Sequence, residues 1–203
     1  YTDFLGKGIY LRVTSKPVNT RLFHSIINSD IEIDEERIEK IKGNLQNKYS
    51  LQWNTEFHEK VIFLPGSNLL SKGTVIDMNR VRALVKEGYK IKPHPITAHI
   101  FMAELRMAFG AENVLGKKEG GFELLMNCKE MATAQNSEMG LIALLLRKPI
   151  KLVSYPVEDR EKNLLTYESF YESLAGTNAK DTILKLFSSK RSGIIFNFDE
   201  DAK

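Results

Sequence analysis

The sequence predicts an α/β protein with a Rossmann-like parallel sheet that carries helices on both faces. Short apolar strands alternate with helices about five times between residues 60 and 156, a rhythm typical of parallel sheets built from strand–helix–strand units. A helix over residues 137–146 is apolar almost all round, which indicates that it is buried. Connections between parallel strands are right-handed, and the alternation predicts a sheet with connecting helices on both faces.

Each predicted strand of this region is a short apolar run that stops at a turn or polar residue. The strands are expected at residues 60–64, 89–92, 113–115, 130–134 and 149–153. The helices between them show apolar residues at helical spacing. They are expected at residues 79–87, 97–109, 122–127 and 137–146.

The flanking regions predict fewer elements. Residues 8–13 suit a strand, and residues 38–49 suit a helix behind an acidic start. The pattern of residues 157–203 predicts helices near residues 167–174 and 183–187 and a final strand at 193–196. The expected organisation is therefore a small or reduced N-terminal lobe (residues 1–59), a Rossmann-like domain (60–156), and a C-terminal segment (157–203) that packs back on the fold.

Composition bounds the class of protein. Hydrophobic residues make up 42 % of the chain and charged residues 27 %, a balance that excludes a disordered chain and permits a sizeable core. The longest apolar run, residues 141–146, is far shorter than the ~20 residues that a membrane-spanning helix needs. No signal peptide is evident, and the single cysteine, Cys128, cannot form an internal disulfide. A reducing, cytoplasmic location is the expectation.

The net charge of +3 and pI of about 8.8 are compatible with an anionic ligand. They are too weak to indicate nucleic acid by themselves. The charged C-terminal residues 199–203 are expected to form a solvated end.

Three predicted strands end in unusual residues. They are followed by Pro-Gly-Ser-Asn (65–68), Lys-Pro-His-Pro (92–95) and Gln-Asn-Ser (135–137). Ligands of open parallel sheets bind beyond the carboxyl ends of the strands. The three segments are therefore expected to converge on one site.

The Lys-Pro-His-Pro segment, here called the KPHP loop, has a physical logic of its own. Two prolines fix the backbone, so His94 is presented at a fixed place with little ordering cost. Lys92 adds a positive charge beside it. The pair suits a diphosphate, with His94 donating a hydrogen bond or a proton to a leaving phosphate. The alternative is a proline-bounded turn with a surface histidine.

Ser137 stands where a helix N-cap or first-turn residue belongs, and the free N–H groups of a helix start attract anions. Simple helix capping is the alternative. Gly66 permits close backbone approach to a ligand, or forms an ordinary turn. The loop 116–121, which begins with Gly116, is a weaker candidate to wrap a base and ribose.

These segments together resemble the C-terminal half of GT-B-fold glycosyltransferases, and most closely the capsular-polysaccharide and bacterial sialyltransferase-like group. That group shows a KPHP loop, about forty residues later a Ser/Thr motif that opens a helix, and then a Gly-Lys-Pro turn. Here residues 133–150 read TAQNSEMGLIALLLRKPI, so Arg147 replaces the glycine of that turn. The resemblance covers residues 60–156, about half the chain.

The resemblance implies that residues 60–156 bind a nucleotide-sugar. His94 and Ser137 would hold the donor phosphates, and Lys92 and Asn136 would assist. The donor cleft would be formed by Gly66, Ser67, Asn68, Gly116, Gln135 and Glu138. The nucleotide-sugar serves as co-substrate with no metal or other cofactor. The acceptor hydroxyl belongs to a saccharide, or to a hydroxymethylated DNA base as in phage enzymes, and the setting is a bacterial or phage-infected cell.

The catalytic base is expected on the N-terminal side, where a full GT-B enzyme has a second Rossmann domain. Residues 2–8 are a candidate cleft loop with Asp3 as base, and His24 is a rival, although a surface role is the default for both. Two other functions stay open. A nucleotide-sugar 2-epimerase would show an Asp-Ser-Gly-Gly-like helix start, where this chain has Asn136-Ser137-Glu138-Met139. A non-catalytic nucleotide- or sugar-phosphate-binding module is the other.

Overall fold

The computed structural model describes residues 2–6, 10–13, 20–49, 57–67, 76–134, 137–154 and 184–197. The chain forms two compact units. One comprises Tyr1–Lys48, Leu144–Arg147 and Val157–Lys203, and the other comprises Tyr49–Ala143 and Lys148–Pro156. Most of the expected N-terminal lobe, residues 1–48, thus falls in one unit with residues 157–203, and this unit is here called the antiparallel unit. The other is called the parallel unit.

The elements are as follows in chain order. They are β1 (Thr2–Gly6), β2 (Tyr10–Val13), α1 (Thr20–Ile27), α2 (Glu35–Tyr49), β3 (Lys60–Phe63), α3 (Met78–Lys86), β4 (Lys90–Lys92), α4 (His99–Phe109), a 3-10 turn (Ala111–Asn113), α5 (Gly121–Asn127), β5 (Glu130–Thr133), α6 (Glu138–Leu145), β6 (Ile150–Leu152), α7 (Leu184–Ser188), a 3-10 turn (Lys190–Ser192) and β7 (Ile194–Phe196).

The antiparallel unit contains a three-stranded sheet in the order β1-β2-β7. Residues 2–6 form its strand β1, with Thr2 opposite Val13 and Asp3 opposite Arg12. The expectation of a cleft loop at Asp3 was therefore wrong. Hydrogen bonding to β2 satisfies the backbone of this segment, which a loop would have left to solvent.

The parallel unit contains a four-stranded sheet in the order β4-β3-β5-β6. All three strand pairs are parallel, which confirms the predicted α/β class. From β3 the chain moves outward to β4, then returns across β3 to β5 and continues to β6. The direction of winding reverses between β3 and β5, and a crevice opens at such a reversal beyond the carboxyl ends of the strands.

Alternating residues of the strands face opposite sides of this sheet. Ile62, Ile91 and Ala132 pack in one buried cluster with residues of α3 and α4. Phe63 belongs to the opposite face, where a Cβ placed on Gly121 at the start of α5 would lie 4.0 Å from the Phe63 ring. Helices therefore cover both faces of the sheet, and the ends of the strands are left for a ligand site. No helix among the described residues has the length and apolar character to cross a membrane.

The strand expected at residues 113–115 is not part of the sheet, and this prediction was wrong. The chain forms the 3-10 turn Ala111–Asn113 and then a single parallel bridge between Val114 and Ile91. The Asn113 side chain donates to the Phe109 carbonyl at 2.9 Å and accepts from Lys90 at 2.9 Å. These bonds favour a tight turn over an extended segment.

Helix α6 ends in a Schellman motif. The Lys148 N–H donates to the Ala143 carbonyl and the Arg147 N–H to the Leu144 carbonyl, each at 2.9 Å. Arg147 has a φ of 56°, the left-handed conformation that glycine adopts most readily. A residue with this conformation is one at which glycine is favoured, and Arg147 adopts it at the cost of some strain.

Arg147→Gly is accordingly expected to raise the free energy of unfolding by about 0.5–1 kcal/mol, because removal of the Cβ relieves the left-handed strain. The strain energy relieved exceeds the cost of the entropy that glycine adds to the unfolded chain. Chemical denaturation measures the change. Arg147→Ala is the matched control, since it removes the same side chain but keeps the Cβ. Equal stability of the two variants would contradict the strain.

Candidate functional site

A cavity of about 330 Å³ lies at the carboxyl ends of β3, β4 and β5, where the winding of the sheet reverses. Its volume is within the range of small-molecule sites. The described residues that line it are Phe63, Leu64, Pro65, Lys92, Pro93, His94, Pro95, Gly121, Phe122, Thr133, Ala134, Ser137 and Met139. The structure thus brings together Lys92, His94 and Ser137, the three residues whose convergence the sequence predicted.

Lys92 is the last residue of β4 and is only 3 % exposed. Its ammonium donates to the Pro93 carbonyl at 2.7 Å and to the Lys117 carbonyl at 3.1 Å. An ammonium has three donors, so one is left for a ligand. Burial lowers the pKa of Lys92 to about 8, although the carboxylate of Glu119 acts in the opposite direction. At neutral pH the pocket therefore holds a buried cation that an anion would stabilise.

His94 is exposed at the edge of the cavity and is held by the stiff KPHP loop. Its Nδ1 accepts a hydrogen bond from the Ile96 N–H at 3.3 Å. Partial burial and the nearby Lys92 cation lower the pKa of His94. The neutral form of the ring therefore predominates at pH 7, and its proton is on Nε2 because Nδ1 acts as the acceptor. His94 offers one N–H donor to a ligand.

A second loop, residues 116–120, supports the KPHP loop. Lys92 donates to the carbonyl of Lys117, and the Lys117 ammonium donates to the Thr97 carbonyl at 3.2 Å. Two lysines thus join the KPHP region to the loop 116–120 in both directions. The Gly116 N–H donates to the Glu119 carboxylate at 2.6 Å. Gly116 therefore stabilises its own loop, and the cavity lining does not include it.

The segment after β3 has a supporting role as well. Pro65 lines the cavity, and Gly66 is buried. The Ser67 hydroxyl accepts a hydrogen bond from the Ala98 N–H at 3.1 Å. Ala98 is the N-cap residue of α4 and has no side-chain acceptor of its own. Ser67 therefore satisfies a backbone donor at the start of the helix that follows the KPHP loop, and this helps to fix the loop.

Sequence reasoning missed the walls of the cavity. Phe122 lines it, and its ring stacks on Tyr49 with the centroids 4.6 Å apart and an interplanar angle of 17°. Gly121 gives room to Met139, whose Cε would lie 3.2 Å from a Cβ at that position. Thr133 ends β5 at the reversal of the sheet. The position of Thr133 at a strand end was a usable signal, whereas packing of the aromatic wall depends on contacts distant in sequence.

Several expected site residues cannot be placed in the cavity. Asn68, Gln135 and Asn136 lie outside the described residues. Of Glu138 and His24 only the backbone, in α6 and α1, is described, and Asp3 lies in β1 of the antiparallel unit.

Residues 199–201 read Asp-Glu-Asp, the Asp-x-Asp pattern with which many glycosyltransferases bind a metal ion, and they lie outside the described residues. Metal independence therefore stays a prediction.

The polar groups of the cavity can bind an anion beside an apolar wall. Lys92 and His94 offer N–H donors, whereas the wall consists mostly of Phe, Leu, Pro and Met side chains. A phosphorylated or sulfated organic molecule has this combination of an anionic group and a less polar body.

Binding of an anion is expected to depend on pH. Below pH 7.5 the affinity should be nearly constant, because Lys92, with a pKa of about 8, keeps its proton. Above pH 8 the unliganded site loses that proton, and the affinity should fall by up to about tenfold per pH unit. Calorimetric titration with sulfate, which stays fully ionised, measures this between pH 6.5 and 9.5. An affinity that is unchanged across pH 8 would exclude Lys92 as the binding cation.

Comparison of the chain with protein-family models, with curated proteins and with solved structures gives no match.

Proposed function

We propose that the protein is a glycosyltransferase of the GT-B type, which moves a sugar from a nucleotide-sugar to a hydroxyl acceptor, and that the parallel unit is its donor-binding domain. The observation that carries the proposal is the convergence of Lys92, His94 and Ser137 on one cavity. These residues come from two strand ends about forty positions apart in sequence. They are also the residues on which the resemblance to the capsular-polysaccharide and sialyltransferase-like group rests.

The two basic side chains have distinct roles in this proposal. His94 donates its Nε2–H to a phosphate oxygen of the donor, and Lys92 places its remaining N–H on the same phosphate group. As the bond to the anomeric carbon breaks, negative charge grows on the leaving phosphate. Both donors then bind more strongly, and the barrier falls, because preorganised donors in a partly desolvated site favour the developing charge. His94 acts here as a neutral donor and not as an acid, which the lowered pKa supports.

A second candidate function is nucleotide binding without turnover. No carboxylate is found among the described residues that line the cavity, and a general base for the acceptor hydroxyl must then come from elsewhere. A binding module would need no such base. The two candidates differ in whether a bound donor is consumed.

A two-stage experiment tests the proposal. A thermal-shift screen against uridine, cytidine, guanosine and adenosine diphosphates and their sugars finds the nucleotide that binds. The matching nucleotide-sugar is then incubated with the full chain and a saccharide acceptor, and with hydroxymethylated DNA in a parallel reaction. Transfer to the saccharide is the expected product. Epimerised donor would indicate an epimerase, transfer to DNA a base-modifying enzyme, and bound but unconsumed donor a binding module.

A further inference from the structure

Thr133 lies at the carboxyl end of β5, opposite Phe63 in the parallel register with β3. It is 1 % exposed and lines the cavity. Its hydroxyl donates to the Phe63 carbonyl at 3.2 Å. The side chain therefore satisfies a carbonyl at the point where the two strands end and the crevice between them begins.

This hydrogen bond fixes the polarity of the hydroxyl. A threonine hydroxyl has one proton and two lone pairs. Since the proton is directed to Phe63, the group meets the cavity as an acceptor. The basic side chains of the same cavity, Lys92 and His94, are donors. A ligand therefore finds donors at the KPHP loop and an acceptor at the reversal of the sheet.

We infer that Thr133 is a specificity-determining residue, which accepts a hydrogen bond from an O–H or N–H group of the bound nucleoside. The inference rests on the proposed function, because it takes the phosphate to lie at Lys92 and His94. A nucleoside has such donors on its ribose and on its base. Ribose hydroxyls and base N–H groups share this donor chemistry, and matched ligands distinguish the two sources.

The test compares wild type with Thr133→Val and Thr133→Ser. Valine keeps the β-branched shape and removes the acceptor, whereas serine keeps the hydroxyl. For the nucleoside diphosphate that binds best, dissociation constants are measured for the parent, for its 2′-deoxy and 3′-deoxy analogues, and for an analogue methylated at the base N–H. Thermal unfolding of each variant checks that the fold is intact.

Wild type is expected to bind one of these analogues about tenfold more weakly than the parent, since one neutral hydrogen bond is lost. In Thr133→Val this ratio should fall to about one, and in Thr133→Ser it should persist. If wild type binds a deoxy analogue more weakly than the parent, the donor is a ribose hydroxyl. If it binds the methylated analogue more weakly, the donor is an N–H group of the base. A ratio unchanged by valine, or equal binding of all analogues by wild type, overturns the inference alone. Failure of wild type to bind any nucleotide overturns the proposed function with it.

Discussion

His94→Ala is expected to lower the rate of sugar transfer by about 100- to 1,000-fold, the range found when one donor to a developing negative charge is removed. The fold should stay intact, because the ring is exposed and its one described hydrogen bond is to the Ile96 N–H. Water can replace the ring as the acceptor of that exposed N–H. The loss should appear mainly in kcat, since the bond to His94 strengthens as the phosphate leaves.

A matched control comes from the same region. His99 is also exposed, contacts Lys117 at 3.5 Å through Nε2, and does not line the cavity. His99→Ala should therefore transfer sugar at close to the wild-type rate. His94→Gln, which keeps an N–H donor near the same place, should recover part of the loss.

These variants separate a catalytic histidine from a surface one. Turnover of His94→Ala at the wild-type rate would remove His94 from the chemistry and leave the KPHP loop as a proline-bounded turn. A parallel fall in the melting temperature would instead point to a structural role. Steady-state kinetics and thermal unfolding on the same preparations distinguish these outcomes.

The parallel unit could be anticipated from sequence because its signals are local. A strand such as Lys60–Phe63 is a short, mostly apolar run that stops before Pro65, and α6 is apolar after its first residue, Glu138. Parallel order then places the strand ends at one edge whatever the exact register. For that reason the meeting of Lys92, His94 and Ser137 could be predicted without knowing the packing between them.

The antiparallel unit could not be anticipated in the same way. Its sheet pairs Tyr10 with Phe196, and no local pattern says which distant strand a hairpin will join. Within it, the Arg37 guanidinium donates to the Phe187 carbonyl at 2.8 Å and lies 5.0 Å from the centre of the Phe196 ring. Such contacts join the two ends of the sequence. Residues 157–203 were expected to pack back on the fold, but their pattern did not indicate which strand they would pair with.

The roles of single side chains were harder still to predict from the sequence. Ser67, which was expected in the donor cleft, accepts a hydrogen bond from the start of α4, a contact that residue type alone does not indicate. Lys92 was expected to be a charge beside His94, and its burial and its two bonds to carbonyls were not foreseeable. Residue type and position indicate which groups reach a site, whereas burial decides which of them carry a shifted pKa.

Lys92→Met should have opposite effects on stability and binding. At pH 7 the free energy of unfolding should rise by about 1–2 kcal/mol, because methionine fills the buried space without the cost of desolvating an ammonium. The lowered pKa of Lys92 reflects that cost, and the loss of two hydrogen bonds to carbonyls offsets part of the gain. Nucleotide affinity should fall by about 100-fold, since the buried cation of the site is gone.

The pH dependence of the gain in stability of Lys92→Met identifies the cause of that gain. The folded pKa of Lys92, about 8, lies below the ordinary value of 10.5. The unfolded chain therefore holds more protons than the folded one between these values, and wild type gains stability from this group as the pH rises from 8 to 10.5. Lys92→Met has no such dependence. Its advantage should be greatest below pH 8 and should fade by about pH 10.

Lys90→Met is the matched control on the same strand. Lys90 bonds to the Glu112 carbonyl and the Asn113 side chain at 3.1 and 2.9 Å, and it does not line the cavity. That variant should lose a little stability and bind nucleotide as wild type does. A Lys92→Met protein that is less stable than wild type at pH 7 would mean that the two carbonyl bonds outweigh the buried charge. Unchanged nucleotide affinity would mean that the phosphate binds elsewhere, because a buried cation beside a bound phosphate cannot be energetically silent.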